Sequence, residues 1–293
     1  MLVDTHVHFD GMIEAGGILD AIVARAVQAG VSHMIAIGGS SAANQTAVAT
    51  ARAYPDIIRA AVGYDRHVGV FDAKGPLVLR RGDQTAVACP LDELRGLLAL
   101  PEVAAIGEIG LDFHHGRHVG ASGAKWPLVL RCGETALAQI ELFQRMLLLA
   151  RDYQLPVSVH TRAAETETLD ALRAHAAAWR GTPDRIGVMH CFTGGEVFAR
   201  DLLALGFMIS FSGIITFKNV GSLRAVAALL PEDRLLIETD SPYLAPEPFR
   251  GQPNEPAHVR RVAETLATIR HTSWETIAGI SARNAERLFG RSE

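Results

Sequence analysis

Only three of the 293 residues are cysteine, Cys89, Cys132 and Cys191. Their number is odd and none forms a C-x-x-C pair, which excludes a disulfide framework and a thiolate zinc site. No apolar run approaches the length of a membrane span, so no membrane association is expected. An excess of positive charge is also missing. With 28 Lys and Arg against 32 Asp and Glu, the net charge is -4. A protein that coats duplex nucleic acid needs a broad basic face, so an anionic substrate here must be held locally. No Pro-rich or Ser-rich linker divides the chain, and an apolar share of 48% is ample for one core. Residues 1–293 are therefore read as a single domain. A metal-type motif beginning at residue 6 leaves no room ahead of it for a charged segment and an apolar signal, so a cytoplasmic protein is expected.

What the chain does contain is alternation. Short apolar, β-branched runs cover Leu2 to His6, His33 to Gly38, Ile58 to Gly63, Ala104 to Gly110, Pro156 to His160, Ile186 to His190, Phe207 to Ser212 and Leu235 to Asp240. Helix-period segments lie between them, among them Ile18 to Gln28, Ala42 to Arg52, Gln139 to Tyr153, Glu165 to Ala178, Val197 to Leu205 and Leu223 to Leu230. Eight strands with intervening helices predict an α/β fold, a (β/α)8 TIM barrel, with a doubly wound sheet as the competitor.

The polar residues on those runs favour the barrel. His6 and His8 stand at i and i+2 in Asp4-Thr5-His6-Val7-His8-Phe9-Asp10, a spacing that puts both rings on one face of a strand. Glu108, His160, His190 and Asp240 end four further runs. In a barrel all of these carboxyl ends meet at one mouth. A lone His at the end of an apolar run is more often a hydrogen-bonded structural residue than a ligand. Six ligand-type residues on five strand ends would instead be a costly set of buried polar groups if left unpaired. Four imidazoles and two carboxylates can hold two divalent metal ions, magnesium, manganese or zinc, with one carboxylate bridging.

The chain resembles the TatD family of metal-dependent hydrolases within the amidohydrolase-like barrels. The matching segments include Asp4 through Asp10, Gly107-Glu108-Ile109-Gly110-Leu111-Asp112, Pro156 through Arg162, His190-Cys191-Phe192, Glu238-Thr239-Asp240-Ser241-Pro242-Tyr243 and Asn284 through Phe289. The resemblance implies His6, His8 and Asp240 on one ion, His160 and His190 on the other, and Glu108 bridging. It also implies a deoxyribonuclease that trims single-stranded DNA from the 3′ end through a metal-activated water. Asp240 is the expected acceptor of the water's proton, so Asp240 and Glu108 are the expected catalytic residues.

Two departures from the family pattern bear on substrate. Where the family usually has Gly-x-His-Pro, this chain reads Gly63-Tyr64-Asp65-Arg66-His67, so that His67 is expected to take over the imidazole's role. The usual basic pair after Arg250-Gly251 is replaced by Gln252-Pro253. Arg162, Lys218 and Arg250 are the cations expected around the mouth, where they would orient phosphate. Long loops after strands 3 and 4, residues 65–90 and 112–134, are expected to shape the substrate pocket. His114, His115 and His118 in the second are read as a solvated cluster. Three alternatives stay open: a hydrolase of a small ester or amide, a D-aminoacyl-tRNA deacylase, and a noncatalytic binding protein. No protein partner is expected beyond single-stranded DNA or another phosphoester substrate.

Overall fold

The computed structural model describes residues 1–65, 78–79, 87–88, 91–114 and 132–290, with backbone alone at 78–79, 87–88 and 132–135. The strands are β1 (Leu2–Val7), β2 (Val31–Gly39), β3 (Ile58–Tyr64), β4 (Val78–Leu79), β5 (Val87–Ala88), β6 (Val103–Asp112), β7 (Val157–Arg162), β8 (Gly187–Met189), β9 (Met208–Phe211) and β10 (Leu235–Ile237). β4 and β5 form a small antiparallel ladder of their own. The other eight pair in the order β1-β2-β3-β6-β7-β8-β9-β10, every pair parallel. This is the expected (β/α)8 barrel, and each apolar run predicted as a strand contributes one. Every residue of β1 and of β6 is buried, which is why these strands read as continuous apolar runs and not as alternating ones.

The barrel closes at its carboxyl end through the backbone of the predicted site residues. The Asp240 N–H donates to the His6 carbonyl at 3.0 Å, and the His8 N–H donates to the Ser241 carbonyl at 2.9 Å. A single parallel bridge, Val7 to Ser241, marks the seam. Joining the first strand to the last therefore also sets two ends of the candidate site side by side.

Two helices follow β10. The helix Val259–Ile269 buries Val259, Val262, Ala263, Leu266 and Ala267, the 3, 4, 7, 8 spacing of a face laid on a core. The helix Trp274–Phe289 starts at Ser273, whose side chain accepts the Thr276 N–H at 3.2 Å. Its Ala285, Leu288 and Phe289 pack with Val3, Ile35, Ile37, Ala104, Val188, Met208 and Leu236, and so plug the amino end of the barrel. Arg185 donates to the carbonyls of Leu288 and Gly290, which satisfies the helix terminus. The bottom of the barrel is thus given to packing, leaving the opposite end for chemistry. No helix among the described residues is long and apolar enough to cross a membrane.

One buried group has no role in the site. His175, on the helix Glu165–Ala178, is fully buried, and its ring makes no well-formed hydrogen bond, with only a weak contact to the Leu147 backbone. Burial, with Arg151 alongside, pushes its imidazole down to about 4. The unfolded chain takes up this proton near the ordinary His value of ~6.5, whereas the native state refuses it until about pH 4. The stability it confers is therefore complete above pH 6.5 and is lost as pH falls toward 4, by roughly 3 kcal/mol. His175→Leu is expected to flatten this part of the acid limb. Urea midpoints of the two proteins at pH 7 and pH 4.5 test it, and parallel acid limbs would refute it.

Candidate metal centre

The six predicted ligand residues converge at the carboxyl end of the barrel. Glu108 is at the middle. Its Oε1 lies 3.2 Å from His160 Nδ1 and 3.3 Å from His190 Nε2, and those two nitrogens are 3.3 Å apart. Its Oε2 lies 3.5 Å from His8 Nε2 and 3.7 Å from His6 Nε2. Asp240 Oδ1 stands 3.5 Å from His8 Nε2 and 3.9 Å from His6 Nε2. Each oxygen of one carboxylate thus faces a different pair of imidazoles. Among the described residues, two groups meet the spacing of cation ligands, His6 with His8 and Asp240, and His6 with Glu108 and His190.

Backbone geometry makes this close approach possible. Gly110 has φ 142°, and a Cβ there would come within 2.0 Å of the His160 carbonyl oxygen. No other residue fits, so β6 and β7 can run close together at the point where Glu108 meets His160. Asp240 itself adopts φ 58°, a left-handed conformation that Asp enters more readily than most residues.

A second set of groups orients the ligands. His190 Nδ1 lies 3.2 Å from Glu238 Oε1, which also accepts the Cys191 N–H at 2.6 Å. This carboxylate holds the ring proton on Nδ1, so the Nε2 lone pair faces Glu108. His160 is turned the other way, with Nδ1 toward Glu108 and Nε2 3.7 Å from Asp112 Oδ2. Ser158 Oγ lies 3.4 Å from His6 Nδ1. Asp4 accepts the backbone N–H groups of His6 and Thr239 and the Thr239 hydroxyl, at 3.3, 2.9 and 2.6 Å. It couples the two strands that close the barrel, and burial pushes its carboxyl up to about 8. Sequence reasoning did not assign roles to Glu238, Asp112, Ser158 or Asp4. The available signal was position: each lies within four residues of a ligand, on the same strand or strand end.

The electrostatics favour a cation. Burial lowers the proton affinity of His6. His8 and His190 are raised in spite of burial, His8 by Asp240 and Glu108, His190 by Glu108 and Glu238. Against burial, the neighbouring His8, His6 and His190 hold Asp240 below the usual carboxylate range. These buried carboxylates draw positive charge toward the imidazole nitrogens. A divalent ion supplies that charge and uses the same lone pairs, so the donor set fits metal ions. Removing Glu238 by Glu238→Ala is expected to weaken metal binding ~10- to 100-fold, since outer partners of ligating His have effects of that size. Competition with a chromophoric chelator measures it. Affinity equal to wild type would remove Glu238 from the positioning role.

Five of the six predicted ligands, His8, Glu108, His160, His190 and Asp240, line a cavity of about 600 Å³, together with Asp65, Arg162, Cys191, Ile214, Tyr243 and Leu244. Of the cations expected at the mouth, Arg162 lines it. Lys218 and Arg250 are exposed outside that lining, and the Arg250 guanidinium lies over the Phe217 ring at 3.7 Å. Asp65 is buried in the wall. His67, His115, His118 and most of both long loops lie outside the described residues.

Comparison with known proteins agrees over the whole chain. A family model described as TatD related DNase matches residues 3–290. The uncharacterized metal-dependent hydrolase YcfH of Escherichia coli K12 is 38% identical, covering 98% of this chain and 95% of its own. YabD of Bacillus subtilis 168, with the same description, is 34% identical over 99% of both. A protein of Erwinia amylovora named 3'-5' ssDNA/RNA exonuclease TatD is 30% identical, covering 92% of this chain and 93% of its own. Among solved structures, the TatD homologue YjjV of Escherichia coli K12 superposes with a TM-score of 0.76 at 29% identity, covering 99% of this chain and 98% of that one.

Proposed function

Because this chain belongs to the TatD family of metal-dependent hydrolases, we propose that its site holds two divalent ions and cleaves single-stranded nucleic acid from the 3′ end. The observation that carries this reading is Glu108, whose two oxygens face two separate pairs of imidazoles. His6, His8 and Asp240 would hold one ion, His160 and His190 the other, with Glu108 shared. Ions held there would supply Lewis acidity, enough to bring the pKa of an attacking water toward ~7 and to offset charge on a developing oxyanion.

The chain's own groups do the rest. Asp240, kept ionised by the imidazoles around it, accepts the proton of the attacking water. Glu238 keeps the His190 ring in the orientation the ions require, and Asp112 offers a nearby negative charge to His160 Nε2 at 3.7 Å. Arg162, at the lip of the cavity, holds the phosphate whose neighbouring ester bond is cut. The exonuclease name of the Erwinia relative supports a nucleic acid as substrate.

The cavity lining favours a second reading, because Arg162 is joined there by neither Lys218 nor Arg250, which leaves few cations for a polyanion among the described residues. A small ester or amide, or an aminoacyl ester, would use the same ligands. Digestion of 3′-labelled and 5′-labelled single-stranded DNA separates the two, using metal-stripped protein resupplied with magnesium, manganese or zinc. A ladder retreating from the 3′ end is expected. Intact DNA together with two bound ions would transfer the reading to the smaller substrates.

A further inference from the structure

Tyr243 has no place in the ligand set, yet it stands at the site. It is 57% exposed, the one aromatic ring among the large exposed apolar side chains of the described residues. Its ring centroid lies 5.8 Å from that of His8, in an edge-on arrangement. Ile214 and Leu244 extend the apolar surface into the same cavity. An exposed tyrosine on a loop is ordinarily free to swing, but the backbone beneath this one is fastened. The Tyr243 N–H donates to the Asp240 carbonyl at 2.9 Å, and its own carbonyl accepts from the buried Asn254 amide at 2.7 Å. The same amide also donates to the Thr239 carbonyl at 2.9 Å. The backbone that carries the ring is thus fixed beside His8 and Asp240, and the ring itself rests edge-on against His8.

Charge is divided across the cavity. Arg162 lies on the β7 side, beside His160. On the other side, Asp10 and Glu14 of the helix Phe9–Glu14 act on Tyr243 along with Asp240. A phosphate is repelled from that acidic flank, whereas an uncharged planar ring is not. Resting on the nucleic-acid reading above, we propose that Tyr243 is the stacking platform for the nucleobase at the 3′ end, seated on this flank while its phosphodiester occupies the metal side. Stacking on an aromatic face is tolerant of sequence, because every base has a π-face. The platform would therefore give the enzyme a grip on any 3′ end without base selection, and would account for a single-strand substrate whose base is free of a partner.

Such a contact is made equally in the bound and the reacting complex, so its loss raises KM and leaves kcat in place. The test is a double-mutant cycle on the metal-loaded enzyme. Wild type, Tyr243→Ala and Tyr243→Trp are compared on an oligonucleotide with a normal 3′ nucleotide and on one ending in an abasic residue. Tyr243→Ala is expected to raise KM for the normal strand ~5- to 150-fold, the range of base stacking on an aromatic side chain. Tyr243→Trp should restore it, and the abasic strand should show little of the difference. A 3′-terminal 2-aminopurine, followed by stopped flow before cleavage, gives a second readout, with fluorescence quenched on binding to metal-loaded wild type and less so with Tyr243→Ala. If wild type shortens DNA but Tyr243→Ala has unchanged KM and quenching, the platform falls and the exonuclease reading stands. If wild type shortens no oligonucleotide, both fall.

Discussion

Glu108→Gln is expected to lower kcat/KM by at least ~10³-fold and to reduce the metal content of the purified, reloaded protein. The argument rests on which atom faces which ring. Oε1 serves His160 and His190, and Oε2 serves His8 and His6. An amide keeps the shape but turns one of these oxygens into an NH₂ donor, aimed at nitrogens whose lone pairs are needed for metal. Either orientation of the amide removes one ligand, and the negative charge is lost in both. Outer partners of ligating His already carry 10- to 100-fold effects, so a group shared by both proposed ion positions is expected to exceed them. Metal content by inductively coupled plasma mass spectrometry, with melting temperature as the control for folding, checks the assignment. Full activity with two ions retained would overturn the bridge.

The second large effect concerns stability. Asp4→Ala is expected to cost about 3–5 kcal/mol, because it leaves the Thr239 N–H and hydroxyl without their acceptor in a fully buried place. These bonds span 235 residues and tie β1 to the segment that follows β10. The same seam carries the His6 to Asp240 and His8 to Ser241 backbone bonds, so its loosening should also lower metal affinity. Asp4→Asn retains a carbonyl acceptor and should lose roughly half as much. Urea denaturation of the three proteins, followed by far-ultraviolet circular dichroism, ranks them. Equal midpoints for Asp4→Ala and wild type would show that the closure does not depend on this carboxyl.

Much of this protein could be read along the chain. Parallel strands buried on both faces announce themselves as apolar runs, and all eight predicted runs lie on barrel strands. The ends of those runs were equally legible. An imidazole or carboxylate closing an apolar stretch is chemically out of place, and His6, His8, Glu108, His160, His190 and Asp240 stood out for that reason. The groups that orient them were marked in the sequence only by lying within four residues of a predicted ligand. The roles of Glu238 and Asp112 depend on which ring nitrogen each meets across the barrel.

The sequence by itself determined the strand-helix alternation, the barrel it implies and the six ligand-type residues, because each rests on side-chain polarity at short spacing. Only the tertiary structure decided which oxygen of Glu108 serves which imidazoles, that Arg162 lines the cavity while Lys218 and Arg250 stand outside it, and that Asp65 and Tyr243 line the same mouth. Those facts are distances between residues that are close only after the first strand has been bonded to the last, and a linear pattern does not carry them.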